Sequence, residues 1–219
     1  MRLSMALARL FTVVALAVSA AGCRTTYYSL WETFGKEKRD LLRDNVEKTR
    51  DAQAAATEQF KDALTHLKEL YGFQGGELEK MYDRVRADYE RSSSRAEAVR
   101  TRIRKMDQVA TDLFKEWENE LGTMENPTLK SSSRQKLSDT RSKYSSMSQS
   151  MSRAEQSMEP VLGQFRDQVL YLKHNLNAQA IGALKGEALQ IENEVRRLVK
   201  DMDASIAAAD AFIQGLPKE

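Results

Sequence analysis

From residue 42 onward, apolar side chains recur at alternating spacings of three and four. The first run is Leu42, Val46, Thr49, Gln53, Ala56, Phe60, Ala63, Leu67 and Leu70, the weakest because polar residues interrupt it. The second extends from Leu78 through Tyr82, Val85, Tyr89, Ser92, Ala96, Val99, Ile103, Met106, Ala110 and Leu113 to Trp117, broken only by Ser92. The third passes from Leu137 through Thr140, Tyr144, Met147, Met151, Ala154, Met158, Val161, Phe165 and Gln168 to Leu172. The fourth passes from Ile181 through Leu184, Ala188, Ile191, Val195, Leu198, Met202, Ser205 and Ala209 to Phe212. A repeat of 3.5 residues keeps one stripe of a helix facing a partner helix, and no period-two alternation competes with it. The pattern predicts an all-α chain.

Turn chemistry supplies the boundaries. Gly72-Phe73-Gln74-Gly75-Gly76 ends the first helix, with Gly72 suited to a left-handed terminal residue. Gly122 to Ser133, containing Asn126-Pro127, reads as a linker between the second and third helices. At His174-Asn175-Leu176-Asn177 the seam slips out of phase, and both asparagines suit capping geometry. Pro160, helped by Gly163, kinks the third helix, a full break there being the competing reading. Four helices of about 38–46 residues, roughly 55–70 Å each, follow from a rise of 1.5 Å per residue. Short first and third connections make neighbours antiparallel, so the expected fold is an elongated antiparallel four-helix bundle or two coiled-coil hairpins joined by the linker. Ser142 to Met158 is the loosest seam, its methionines filling gaps rather than binding copper. Such seams can be satisfied within one chain or between copies, so homo-oligomers are compatible with them.

Ahead of these helices lies a different pattern. Arg2 and Arg9 precede and flank an apolar run from Leu10 to Val18, and Ser19-Ala20-Ala21-Gly22 follow as small residues before Cys23. This is the build of an export signal, and its apolar run of about a dozen residues falls short of the roughly 20 that span a bilayer. The stretch AAGC resembles the lipobox of bacterial lipoproteins, which implies acylation of Cys23 after removal of residues 1–22. Arg24, in place of an aspartate, then implies sorting to the outer membrane, facing the periplasm. Residues 23–28 form a tether, 29–214 the helical domain and 215–219 a tail. The ordinary alternatives are a cleaved signal followed by a plain thiol, or an uncleaved anchor.

Composition narrows the function. Of 34 Lys and Arg, Arg2 and Arg9 leave with the leader, so the remainder match the 32 Asp and Glu and no global field draws nucleic acid. Cys23 is the only cysteine, so no disulfide forms within one chain. Arg84 to Lys105 is the one locally basic stretch, but Asp83, Asp88, Glu90 and Glu97 interrupt it, as on a solvated helix face. His66 and His174 could begin a metal site with Glu69 or Glu77, yet the Glu-x-x-His spacing of bundle metal sites is missing, so no metal or other cofactor is expected. No phosphate-binding loop, dinucleotide turn or nucleophile elbow is present, and an enzyme is not expected.

Antiparallel connectivity gathers Trp31, Phe34, Phe114, Trp117, Leu129 and Phe212 at the anchored end. There Tyr27, Tyr28 and Trp31 either sit among headgroups or plug the bundle. The opposite end gathers Tyr71, Phe73, Tyr171, His174, Asn175 and Asn177, a candidate partner-contacting tip; a hydrophobic lid is the plainer reading of Phe73.

Through Leu172-Lys173-His174-Asn175-Leu176-Asn177-Ala178-Gln179-Ala180-Ile181 and the tail from Asp201 to Phe212, the chain resembles an uncharacterised bacterial family, domain of unknown function 2959, over Tyr27 to Phe212. That resemblance implies one helical domain and supplies no catalytic residues. The DNA-repair ATPase label that some relatives bear finds no nucleotide motif here. The expected role is a helical spacer, scaffold or adaptor held to the membrane by acyl chains and contacting an envelope protein or cell-wall partner. A chaperone offering helical grooves to clients is the alternative.

Overall fold

A computed structural model of the chain describes residues 38–72 and 78–216. Six helices follow in order: α1 (Lys38–Gly72), α2 (Leu78–Thr123), α3 (Pro127–Gln156), α4 (Met158–His174), α5 (Ala178–Lys185) and α6 (Ala188–Gly215). No strand occurs among the described residues. Contact density divides the chain between Leu41 and Leu42, and everything that follows concerns the second unit, Leu42–Glu219.

Side-chain pairs establish the topology. Along α1 and α6, Arg50 meets Asp210, Gln53 meets Ser205, Thr57 meets Met202 and Lys68 meets Glu192, one number rising as the other falls. Glu69 of α1 pairs with Arg84 of α2, and His66 with Asp88, so this pair is antiparallel too. Asp107, Arg100 and Trp117 of α2 meet Tyr144, Glu155 and Ser133 of α3, again in opposite directions. Phe60 lies against Phe165 and Tyr71 against Gln168, so α1 runs parallel to α3 and α4. The result is an up-down-up-down bundle, with α3–α4 and α5–α6 serving as the third and fourth rods.

Burial follows the seams closely. Every seam residue of the first run, Thr49 and Gln53 included, is buried, although its pattern is the weakest. In the third run only Thr140 escapes burial. The lower half of the second run rotates by about one position: Phe114 and Leu121 are buried where Leu113 and Trp117 are the seam positions. Phe114, Tyr144 and Phe212 close one end as an aromatic cluster, with edge contacts at 5.6 and 5.8 Å between ring centres.

Three boundaries differ from the sequence expectation. The 12-residue linker Gly122–Ser133 shrinks to Met124-Glu125-Asn126, because Asn126 caps α3 through its side-chain oxygen, accepting from Thr128 (3.0 Å) and Leu129 (3.1 Å), while Pro127 opens the helix. Two hairpins on a long linker are thereby replaced by one continuous bundle. The third rod is interrupted at Ser157, which stays right-handed and donates its N–H to the Arg153 carbonyl at 3.0 Å. Pro160 lacks the N–H that would reach the Gln156 carbonyl, so the chain kinks without losing its phase. The fourth rod also divides, at Gly186-Glu187, where N–H groups reach back three residues to Ala183 (3.2 Å) and Leu184 (3.0 Å). The periodic seam through Leu184 and Ile191 masked this break, with Gly186 as its only local signal.

Candidate functional site

The residues of the expected tip differ in burial and in role. Tyr71 is buried and donates its hydroxyl to Gln168 at 3.2 Å, with burial pushing its phenol above the ordinary range, so it serves the core instead of a partner. Tyr171 and His174 are exposed at the end of α4. Asn175 donates its side-chain amide to the Tyr171 carbonyl at 3.0 Å, and Asn177 caps α5 by accepting from the Ala180 N–H at 2.9 Å. Both asparagines therefore shape the connection. Phe73, Cys23, Arg24 and the aromatic residues Tyr27, Tyr28, Trp31 and Phe34 lie outside the described residues.

Polar residues inside the seams form three local networks. Gln53 donates to the Met151 carbonyl at 3.4 Å and accepts from Ser205 at 2.7 Å. His66 Nδ1 lies 2.7 Å from the Asp88 carboxylate, which is only 2% exposed and also receives Arg91 and Gln59. His66 thus orients against a buried carboxylate. Asp107 accepts from Tyr144 and from Ser148 (2.8 Å), and burial raises the Tyr144 phenol well above its ordinary value. Among the described residues, no three His, Cys, Asp or Glu side chains come together to hold a metal ion.

The basic stretch of α2 is largely neutralised by pairing. Arg84 meets Glu69 at 2.9 Å, Arg86 meets Asp83 at 3.3 Å, and Arg104 meets Glu97 at 3.1 Å. Arg100 bridges to α3 and α4 through Glu155 and Glu159 (2.6 Å), which raises its guanidinium further.

Local positive charge lies elsewhere. Over its 30 residues, α3 carries six basic side chains (Lys130, Arg134, Lys136, Arg141, Lys143, Arg153) against Asp139 and Glu155, and ten serines. Small hydroxyl side chains there leave an open groove against α2, in two lobes of about 720 and 520 Å³ that share Glu118, Arg141 and Ser145. Arg141 stacks over the Phe114 ring at 5.2 Å and pairs with Glu118 at 2.8 Å, which holds that carboxyl below its usual range. Lys130 donates to the Gly122 carbonyl in the last turn of α2 (3.5 Å) and to the Met124 carbonyl just beyond it (3.4 Å). Arg134 and Lys115 are exposed, with no ion pair among the described residues. Sequence reasoning passed over this groove. Its available signal was the coincidence of excess charge and serine in residues 127–156.

Among the described residues these features define an all-helical antiparallel bundle with polar seams and an open cationic groove. A family model, described as "Protein of unknown function (DUF2959)", matches residues 27–216, and the chain belongs to that family. No curated protein matches it significantly.

Proposed function

We propose that this protein is a lipid-anchored lipoprotein of the bacterial outer membrane, facing the periplasm, where its bundle acts as a spacer, scaffold or adaptor without catalysis of its own. The observation that carries this reading is the Ala20-Ala21-Gly22-Cys23 sequence directly after a short apolar run. Among the described helices none is long and apolar enough to cross a membrane, so attachment through acyl chains on Cys23 is consistent with the rest of the chain. Several chains on one cysteine exceed the marginal affinity of a single one. The bundle would then set a distance: α2 alone, with 46 residues, covers about 69 Å at 1.5 Å per residue.

Cys23→Ala tests this directly. The variant should move to the soluble periplasmic fraction, and the wild-type protein should show an N-terminal mass increased by acyl groups. Retention of the variant on membranes, or an unmodified wild-type mass with residues 1–22 intact, overturns the reading. The chaperone alternative draws on the exposed apolar side chains Leu170, Tyr171, Leu176 and Leu189, the last 74% exposed. Strong binding of a hydrophobic dye by the folded protein would favour it over a spacer.

A further inference from the structure

We propose that the α2–α3 groove is a binding site for a linear, carboxylate-bearing glycan. The inference goes beyond the anchored-spacer reading and stands whether or not Cys23 is acylated, because binding belongs to the bundle itself.

The groove follows the helices. From Lys130 to Gln149 its α3 wall extends roughly 28 Å at the helical rise, which suits an extended chain better than a single small anion. Its charges are Lys115, Lys130, Arg134 and Arg141 against Glu118 alone. Glu118 is already bound to Arg141, and Lys130 is turned toward the end of α2, so Arg134 and Lys115 are the cations free to meet a ligand. Ser138 and Ser142 add hydroxyls to the lobe that Arg134 lines. Guanidinium and ammonium groups bind carboxylates through charge-assisted hydrogen bonds, and serine hydroxyls both donate to and accept from sugar hydroxyls.

The walls also discriminate. Both are α-helices, whose backbone N–H and C=O groups are paired internally, so an acidic peptide strand would find no ladder for its own amides. Single-stranded nucleic acid depends on exposed aromatic platforms, whereas the lining aromatics Phe114 and Tyr144 are buried at 6% and 8% exposure. A sugar chain requires neither a ladder nor a platform.

Fluorescence anisotropy with a labelled oligogalacturonate long enough to span the groove tests the proposal, on full-length protein in non-ionic detergent. Wild-type protein should bind at low salt and weaken as salt rises. The double variant Lys115→Glu/Arg134→Glu should bind about tenfold more weakly or worse. Ser142→Leu, which fills the groove at constant charge, should also weaken binding. Arg86→Glu, on another part of α2, should leave it unchanged. Both groove cations are exposed and unpaired, so the charge variants should melt as wild type does. Absence of binding at low salt overturns the proposal, as does equal weakening by Arg86→Glu or full binding by Ser142→Leu. Equally tight binding of dextran, polyglutamate or single-stranded DNA would overturn it too, by removing the selectivity the walls imply.

Discussion

Removing the Ser205 hydroxyl should destabilise the bundle far more than its one hydrogen bond suggests, while removing both members of its pair should not. Gln53 and Ser205 are both fully buried at the α1–α6 interface, and the Gln53 side-chain oxygen accepts from Ser205 at 2.7 Å. Ser205→Ala deletes the donor and leaves that amide oxygen buried without a partner. The cost is that of desolvating an unpaired polar group, about 1–3 kcal/mol, against about 1 kcal/mol net for an ordinary hydrogen bond. Gln53→Leu with Ser205→Ala replaces both groups by apolar ones of similar volume. The amide's other partner, the Met151 carbonyl, can still accept within its own helix, so nothing is orphaned. The double variant should lie within about 1 kcal/mol of wild type, or above it. Urea unfolding followed by circular dichroism reads the difference. With a slope of about 2 kcal/mol per molar, the single variant shifts the midpoint down by roughly 0.5–1.5 M. If Ser205→Ala is neutral, or if the double variant is less stable than either single one, the pair is not the closed polar unit described.

Other outcomes follow from the same geometry. Ser92 is fully buried and its hydroxyl lacks a partner among the described residues, so Ser92→Ala should raise stability by about 0.5–1 kcal/mol, read as a higher urea midpoint. Asn126→Ala removes the acceptor for two N–H groups at the start of α3 and should cost about 1 kcal/mol, whereas Asn126→Asp should retain most of it. Glu192 is held below the usual carboxylate range first by Lys68 and then by Arg196. A depressed folded value means that its stabilisation is present above the unfolded pKa of about 4.3 and is lost as pH falls through the folded value. Melting temperatures from pH 6 to 3 should therefore fall less steeply for Glu192→Gln than for wild type, with the difference shrinking in high salt. A steeper fall for the variant would contradict the assignment.

The repeat of three and four was enough to predict helices and most of their seams, because burying one stripe per helix is a local, periodic demand, and short connections then implied antiparallel neighbours. Pattern strength did not track burial. The run with Thr49 and Gln53 had the poorest pattern, yet α1 is the helix whose seam is wholly buried. Polarity at those positions weakened the signal without exposing them, since Gln53 finds its partners 98 and 152 residues away. The Gly122–Ser133 reading failed for a local reason: Asn126-Pro127 is a helix start, although serines and a glycine around it mimic a loop.

Sequence alone determined the helical class, which depends on neighbours along the chain, and it is the whole basis of the proposed leader and of the proposed acylation of Cys23. Tertiary structure decided which polar residues are partners and which remain exposed. It paired much of the basic face of α2, withdrew Tyr71 into the core and left Lys115 and Arg134 facing an open groove. Charge and burial at those sites depend on the helix lying opposite, and the register between helices exists only once the bundle has packed.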